Sequence, residues 1–70
     1  MSRTAVNSSN VRSIGYDAWS ATLEVEFHSR SVYQHYDVPA DLYDRFMNAG
    51  SKGRFYYSNL RNRYGCRRVG

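Results

Sequence analysis

Midway along the chain, the run Val32-Tyr33-Gln34-His35-Tyr36-Asp37-Val38-Pro39 changes the period of the sequence, and no other feature constrains the fold as much. Before it, apolar residues recur at every second position, the period of strands; after it they recur at every third and fourth, the period of helices. Pro39 stands at the boundary. It has no N–H to give to a strand ladder, while its fixed φ suits the first turn of a helix.

Upstream, Val11 to Tyr16 predicts a first strand, with Val11, Ser13 and Gly15 on one side and Arg12, Ile14 and Tyr16 on the other. Asp17-Ala18-Trp19-Ser20 reads as a turn, because an Asp carboxylate accepts a hydrogen bond from its own downstream backbone. Thr22 to Phe27 is the clearest strand: Leu23, Val25 and Phe27 share one face and Thr22, Glu24 and Glu26 the other, as expected for a sheet covered on one side. After the polar turn His28-Ser29-Arg30-Ser31, Val32 begins a third strand in which Tyr33 and His35 oppose Val32, Gln34 and Tyr36. Turns this short make sequential strands pair antiparallel, as a meander.

Downstream, Asp41 and Asp44 place negative charge in the opening turns of a helix, where the macrodipole favours it. Leu42, Phe46 and Ala49 recur at i, i+4, i+7 with Tyr43 and Met47 beside them, and Gly50 is the expected left-handed stop. Ser51 caps a second helix, in which Tyr56 and Leu60 face inward, Arg54, Arg61 and Tyr57 face solvent, and Gly65 ends the run. The expectation is therefore an α+β domain: a three-stranded antiparallel meander followed by two helices packed on one face, β-β-β-α-α. Residues 1–10 are expected as a disordered lead-in, 11–65 as the single domain and 66–70 as a basic flexible tail.

A chain of 70 residues buries only roughly 60% of its unfolded surface, so its stability depends on large side chains. Seven Tyr, three Phe and one Trp supply them without disulfides or metal. The lone Cys66 has no internal partner, no apolar run is long enough to span a membrane, and the first residues have no apolar signal core. These features fit a cytoplasmic protein. Charge is divided along the chain. Up to Ser51, four arginines face six acids for a net −2; from Lys52 on, Lys52, Arg54, Arg61, Arg63, Arg67 and Arg68 give +6 with no acid. A cationic end of this kind points to a polyanionic partner, because Lys and Arg release counterions from phosphates.

The succession Gly15-Tyr16-Asp17, Leu23-Glu24-Val25-Glu26-Phe27, Tyr33 to Pro39, Asn48-Ala49-Gly50-Ser51-Lys52-Gly53-Arg54-Phe55 and Leu60-Arg61 resembles the KTSC domain across residues 9–65. That family is named for a C-terminal extension of some lysyl-tRNA synthetases and also occurs as small stand-alone proteins of bacteria and phages. The resemblance implies a compact domain with a central Tyr-x-Tyr motif and an RNA-binding role, and it brings no catalytic residues. Tyr33 holds the first tyrosine place and His35 the second, a departure, with Tyr36 following directly.

Candidate nucleic-acid-binding residues are Lys52, Arg54, Tyr57, Arg61, Arg63, Arg67 and Arg68, joined by Trp19, Tyr33 and His35. Guanidinium groups bind phosphate bidentately and stack on bases, and rings at i, i+2 on an open sheet face stack unpaired bases. The structural alternatives are that Tyr33 packs under the helices, that His35 is a cross-strand neighbour of the second strand, and that Trp19 folds back as a lid. Gly53 just inside a helix start offers free N–H groups to an anion. No nucleophile elbow is present, and the paired carboxylates Glu24 and Glu26 are better read as a solvated strand face. His28, His35 and Cys66 have no metal-ligand spacing. The chain is thus read as a non-catalytic module without cofactor or metal. It would bind nucleic acid, RNA rather than DNA, with docking on an acidic protein as the alternative; the sequence does not give its oligomeric state.

Overall fold

The structure is a computed structural model that describes all 70 residues, Met1–Gly70. The elements run β1 (Thr4–Ala5), β2 (Val11–Asp17), β3 (Thr22–Phe27), β4 (Val32–His35), α1 (Ala40–Met47), α2 (Lys52–Asn59) and β5 (Cys66–Arg68). The five strands form one sheet in the order β1-β2-β3-β4-β5, antiparallel throughout. The expected β2-β3-β4 meander is present at its centre. The expectation of three strands is corrected to five: the segments read as lead-in and tail each supply an edge. Neither carries a strand pattern of its own. Thr4 and Ala5 pair with Ile14 and Ser13, and Cys66 to Arg68 pair with His35 to Tyr33, so both form because a finished neighbour offers free backbone groups.

Both helices lie on one face. Val11, Ile14, Leu23 and Val25 from the sheet meet Val38, Leu42, Phe46, Tyr56 and Leu60 in a single buried cluster. Strand β2 does not keep the simple alternation expected of it. A bulge between Val11 and Ser13 inserts one residue, Arg12, so that Val11 and Ile14 both reach the core although they are three apart.

Helix α1 starts at Pro39, extended at φ −66° and ψ 148°, without a side-chain cap. Leu42 and Phe46 are its buried i, i+4 pair, and Tyr43 stacks on Tyr16 of β2 at 4.9 Å. The Tyr16 hydroxyl donates to the Val38 carbonyl at 2.6 Å, joining the strand to the turn before the helix. Gly50 is not left-handed, since no glycine has positive φ; Asn48 closes α1 in right-handed geometry. Helix α2 is capped as expected, with the Ser51 hydroxyl accepting from the Arg54 N–H at 3.3 Å. Gly53 packs against the chain and does not face an open anion site. A Cβ there would come within 2.5 Å of the Asn10 side-chain nitrogen, so the loop before β2 fills the space beside the helix start. After Leu60 it is Asn62, at φ 61°, that adopts the left-handed conformation, ahead of Gly65.

The face opposite the helices is covered by the N-terminal segment. Glu24, only 6% exposed, is held between the Arg3 guanidinium and the Gln34 amide, which donates to it at 2.9 Å. Ser13 accepts from Arg3 Nε at 3.0 Å and donates to Glu26 at 2.8 Å. Burial pushes the Glu24 carboxyl pKa up, but the hydrogen bonds from Gln34 and Arg3, the Arg3 charge and the terminal amine outweigh it and hold it below the ordinary value. The expectation of a simply solvated face for Glu24 and Glu26 is corrected accordingly.

Candidate functional site

Helix α2 crosses the sheet so that Phe55, Tyr56 and Tyr57 point three ways. Successive residues of a helix are turned by roughly 100°, which follows from 3.6 residues per turn. Phe55 therefore stacks on Phe46 of α1 at 5.3 Å, Tyr56 goes down onto the sheet, and Tyr57 stays at the surface, 61% exposed. Tyr56 meets Phe27 of β3 edge-on at 5.0 Å, and Phe27 in turn meets Tyr33 of β4 edge-on at 6.1 Å. Phe27, Tyr33, Tyr56 and Tyr57, with Ser29 and Ser31 of the β3–β4 turn at one rim and Arg61, Asn62 and Cys66 at the other, line a groove of about 400 Å³. A second depression of about 360 Å³ shares Phe27, Ser29, Tyr56 and Tyr57 with it and continues to Asn10 and Gly53. The two adjoin as one trough.

The floor of the groove is a buried polar pair. His35, 1% exposed, shares a 2.9 Å hydrogen bond between Nε2 and the Tyr56 hydroxyl, with the two rings edge-to-face at 5.3 Å. Burial lowers the imidazole pKa, with the Tyr64 backbone acting less strongly in the opposite direction; Nδ1 makes no well-formed hydrogen bond. Burial, then the neighbouring Cys66 and Tyr33, push the Tyr56 hydroxyl up to about 12. Both groups are therefore neutral at physiological pH. At the rim, the Arg61 guanidinium lies 5.0 Å from the centre of the Tyr57 ring, a cation–π contact at a water-exposed edge.

The structure sorts the candidates named from sequence. Tyr33, Tyr57 and Arg61 come together around the groove, and Arg68, the register partner of Tyr33 on β5, lies on the same sheet face. His35 is there too but as floor; its ring is enclosed, so its expected service as a stacking surface is corrected to that of a support for Tyr56. Arg67 pairs with Gln34 and belongs to the opposite sheet face. Arg63 lines a separate depression with Leu42, Arg45 and Tyr64, and Arg54 is exposed at the start of α2. Lys52 turns back to donate to the Ala49 carbonyl at 2.7 Å, closing the end of α1. Trp19 does not fold back as a lid. It stands 99% exposed in the β2–β3 turn, at the far end of β3 from Phe27, the turn being held by the Asp17 carboxylate, which accepts from the Trp19 backbone N–H at 3.1 Å and the Ser20 hydroxyl at 3.0 Å.

Sequence reasoning passed over Phe27, Ser29, Ser31, Asn62 and Cys66 as groove residues. The legible signal was the triplet of rings Phe55-Tyr56-Tyr57, which cannot all enter one core. Cys66 and Asn62 had none, because Cys66 reaches the groove through the pairing of β5 and Asn62 through the left-handed turn after α2. No three His, Cys, Asp or Glu side chains gather as a metal site, and no helix is long and apolar enough to cross a membrane.

Comparison with known proteins adds family context to this geometry. The sequence model of the KTSC domain family matches residues 7–64. A crystal structure of a KTSC domain protein from Yersinia pestis superposes with a TM-score of 0.95 at 39% identity, covering 99% of this chain and 97% of that one. An uncharacterized protein of Stutzerimonas stutzeri is 41% identical over 56 residues, 80% of this chain and 79% of its own length. A lysine–tRNA ligase of Trichormus variabilis is 30% identical over 54 residues, 77% of this chain but only 10% of the ligase.

Proposed function

This chain belongs to the KTSC domain family, and from that premise we propose that it is a small cytoplasmic RNA-binding module that acts by recognition and not by catalysis. One observation carries the reading: Arg61 lies over Tyr57 at the mouth of a ring-lined groove, on a stretch of chain that has no acid after Asp44. Arg supplies charge for phosphate and a planar surface for a base, and the Tyr57 ring extends that surface. The matching segment in lysine–tRNA ligases supports RNA over other polyanions, since it belongs to enzymes whose named substrate is an RNA.

Arg61 and Arg68 act as the phosphate contacts beside the groove, with Arg54, Arg63 and Arg67 adding long-range attraction. Charge reversal of Arg61 and Arg68 together abolishes a salt-sensitive association with transfer RNA or a short oligoribonucleotide, whereas Arg63→Glu alone weakens it only modestly. Each lost phosphate contact flattens the logarithmic salt dependence by about 0.7 for a single strand. Binding indifferent to salt and to both reversals overturns the proposal.

Docking on an acidic protein is the second reading. Trp19 favours a protein partner, because a fully exposed indole on a short turn pinned by Asp17 is the kind of rigid anchor that interfaces use.

A further inference from the structure

Resting on that reading, we infer that the groove between α2 and β4 receives a single unpaired base, so that the module selects single-stranded RNA over duplex. Phe27, Tyr33, Tyr56 and Tyr57 supply aromatic surface, and the polar lining residues divide between His35 at the floor and Ser29, Ser31, Arg61 and Asn62 at the rims, a combination suited to a flat heteroaromatic ring with polar edges. At about 400 Å³ the volume falls in the range of small-molecule sites. Bases stacked inside a duplex cannot enter such a recess, and an A-form helix offers only its backbone and shallow minor groove to a side chain.

Charge fits the same occupant. No Asp or Glu lines the groove or its continuation toward Gly53, while Arg61 stands at the rim and Arg68, whose Nε donates to the Gly70 carbonyl at 2.8 Å, lies on the same sheet face across from Tyr33. A strand laid along the trough thus places a base against Tyr33 and Tyr57 and its neighbouring phosphates by the two arginines. The hydroxyls of Ser29 and Ser31, 3.3 Å apart in the β3–β4 turn, stand where the edge of an inserted base meets the rim. The neutral His35–Tyr56 pair keeps the floor rigid and uncharged, as a neutral base requires.

The test compares a short oligouridylate with the same strand annealed to its complement, by anisotropy against the intact chain, in wild type, Tyr57→Ala and Tyr57→Phe. Tyr57 is mostly exposed, so the fold survives its truncation, and an unchanged melting temperature verifies this. The single strand binds tighter than the duplex. Tyr57→Ala weakens single-strand binding roughly 5- to 100-fold, the loss of one base–ring stack, and Tyr57→Phe restores it while duplex binding stays the same in all three. Equal affinity for both forms, or no response to Tyr57→Ala, overturns the inference and leaves the RNA-binding reading standing. No salt-sensitive binding of either form overturns both.

Discussion

The Tyr56 hydroxyl and His35 Nε2 lie 2.9 Å apart beneath the groove, and this one buried hydrogen bond ties α2 to the central part of the sheet. An eight-residue helix is not stable alone in water, so α2 depends on such tertiary contacts. Tyr56→Phe removes the hydroxyl and leaves the imidazole with neither nitrogen well partnered. The expected cost is about 1–3 kcal/mol in chemical denaturation, with the groove residues losing protection in hydrogen exchange before the β2–β3 hairpin does.

The same imidazole makes stability depend on pH in a definite direction. Burial lowers its folded-state pKa below the ordinary 6.5, so the unfolded chain binds the proton more readily. Its stabilising contribution is complete above pH 6.5 and is lost as pH falls from there through the depressed folded value. Melting temperature followed through this window falls on acidification. A His35→Gln variant, less stable at neutral pH, shows a flatter profile over the same window.

On the opposite sheet face, Glu24 gives a second acid-sensitive step. Its folded pKa lies below 4.5, so its contribution is present above that value and disappears as pH falls through the folded one. Arg3→Ala removes both a hydrogen bond and a charge from this carboxylate and frees the N-terminal strand. Amide exchange at Thr4 and Ala5 then rises to that of an unstructured end, and the acid transition near this group shrinks.

Two glycines respond differently to alanine because of what each lies against. At Gly15 a Cβ would sit 2.5 Å from the Ser2 carbonyl oxygen, a backbone atom, so Gly15→Ala displaces β1 or strains the sheet, at about 1–3 kcal/mol. At Gly53 the obstacle is the end of the Asn10 side chain, which rotates away. Gly53→Ala gains up to about 1 kcal/mol of helix propensity against that rearrangement and comes out the milder of the two in urea titration.

Arg30 and Trp19 separate stability from recognition. Arg30 holds φ 77° in the β3–β4 turn, so Arg30→Gly relieves backbone strain and raises stability by about 1 kcal/mol. Trp19→Ser, at a side chain that touches almost nothing, changes stability by less than about 0.5 kcal/mol. A protein partner that binds wild type but not Trp19→Ser marks the β2–β3 turn as its docking point.

Much of this protein was written in local pattern. The alternation of Leu23, Val25 and Phe27, the proline boundary at Pro39, the i, i+4 pair Leu42 and Phe46 and the Ser51 cap each depend on residues within a turn or two, and each is found where the pattern put it. The cationic end was legible as well, since charge is a count along the chain. Tertiary structure decided what local pattern cannot encode. β1 and β5 exist because completed strands offer them unpaired backbone groups, and the bulge at Arg12 exists because both Val11 and Ile14 gain by burial. The same long-range packing sent His35 to the floor beneath Tyr56, sent Arg67 to the far face and gathered Tyr33, Tyr57 and Arg61 around one groove. Periodicity assigns a side chain to a face; only the crossing of α2 over β3 and β4 determines which faces meet.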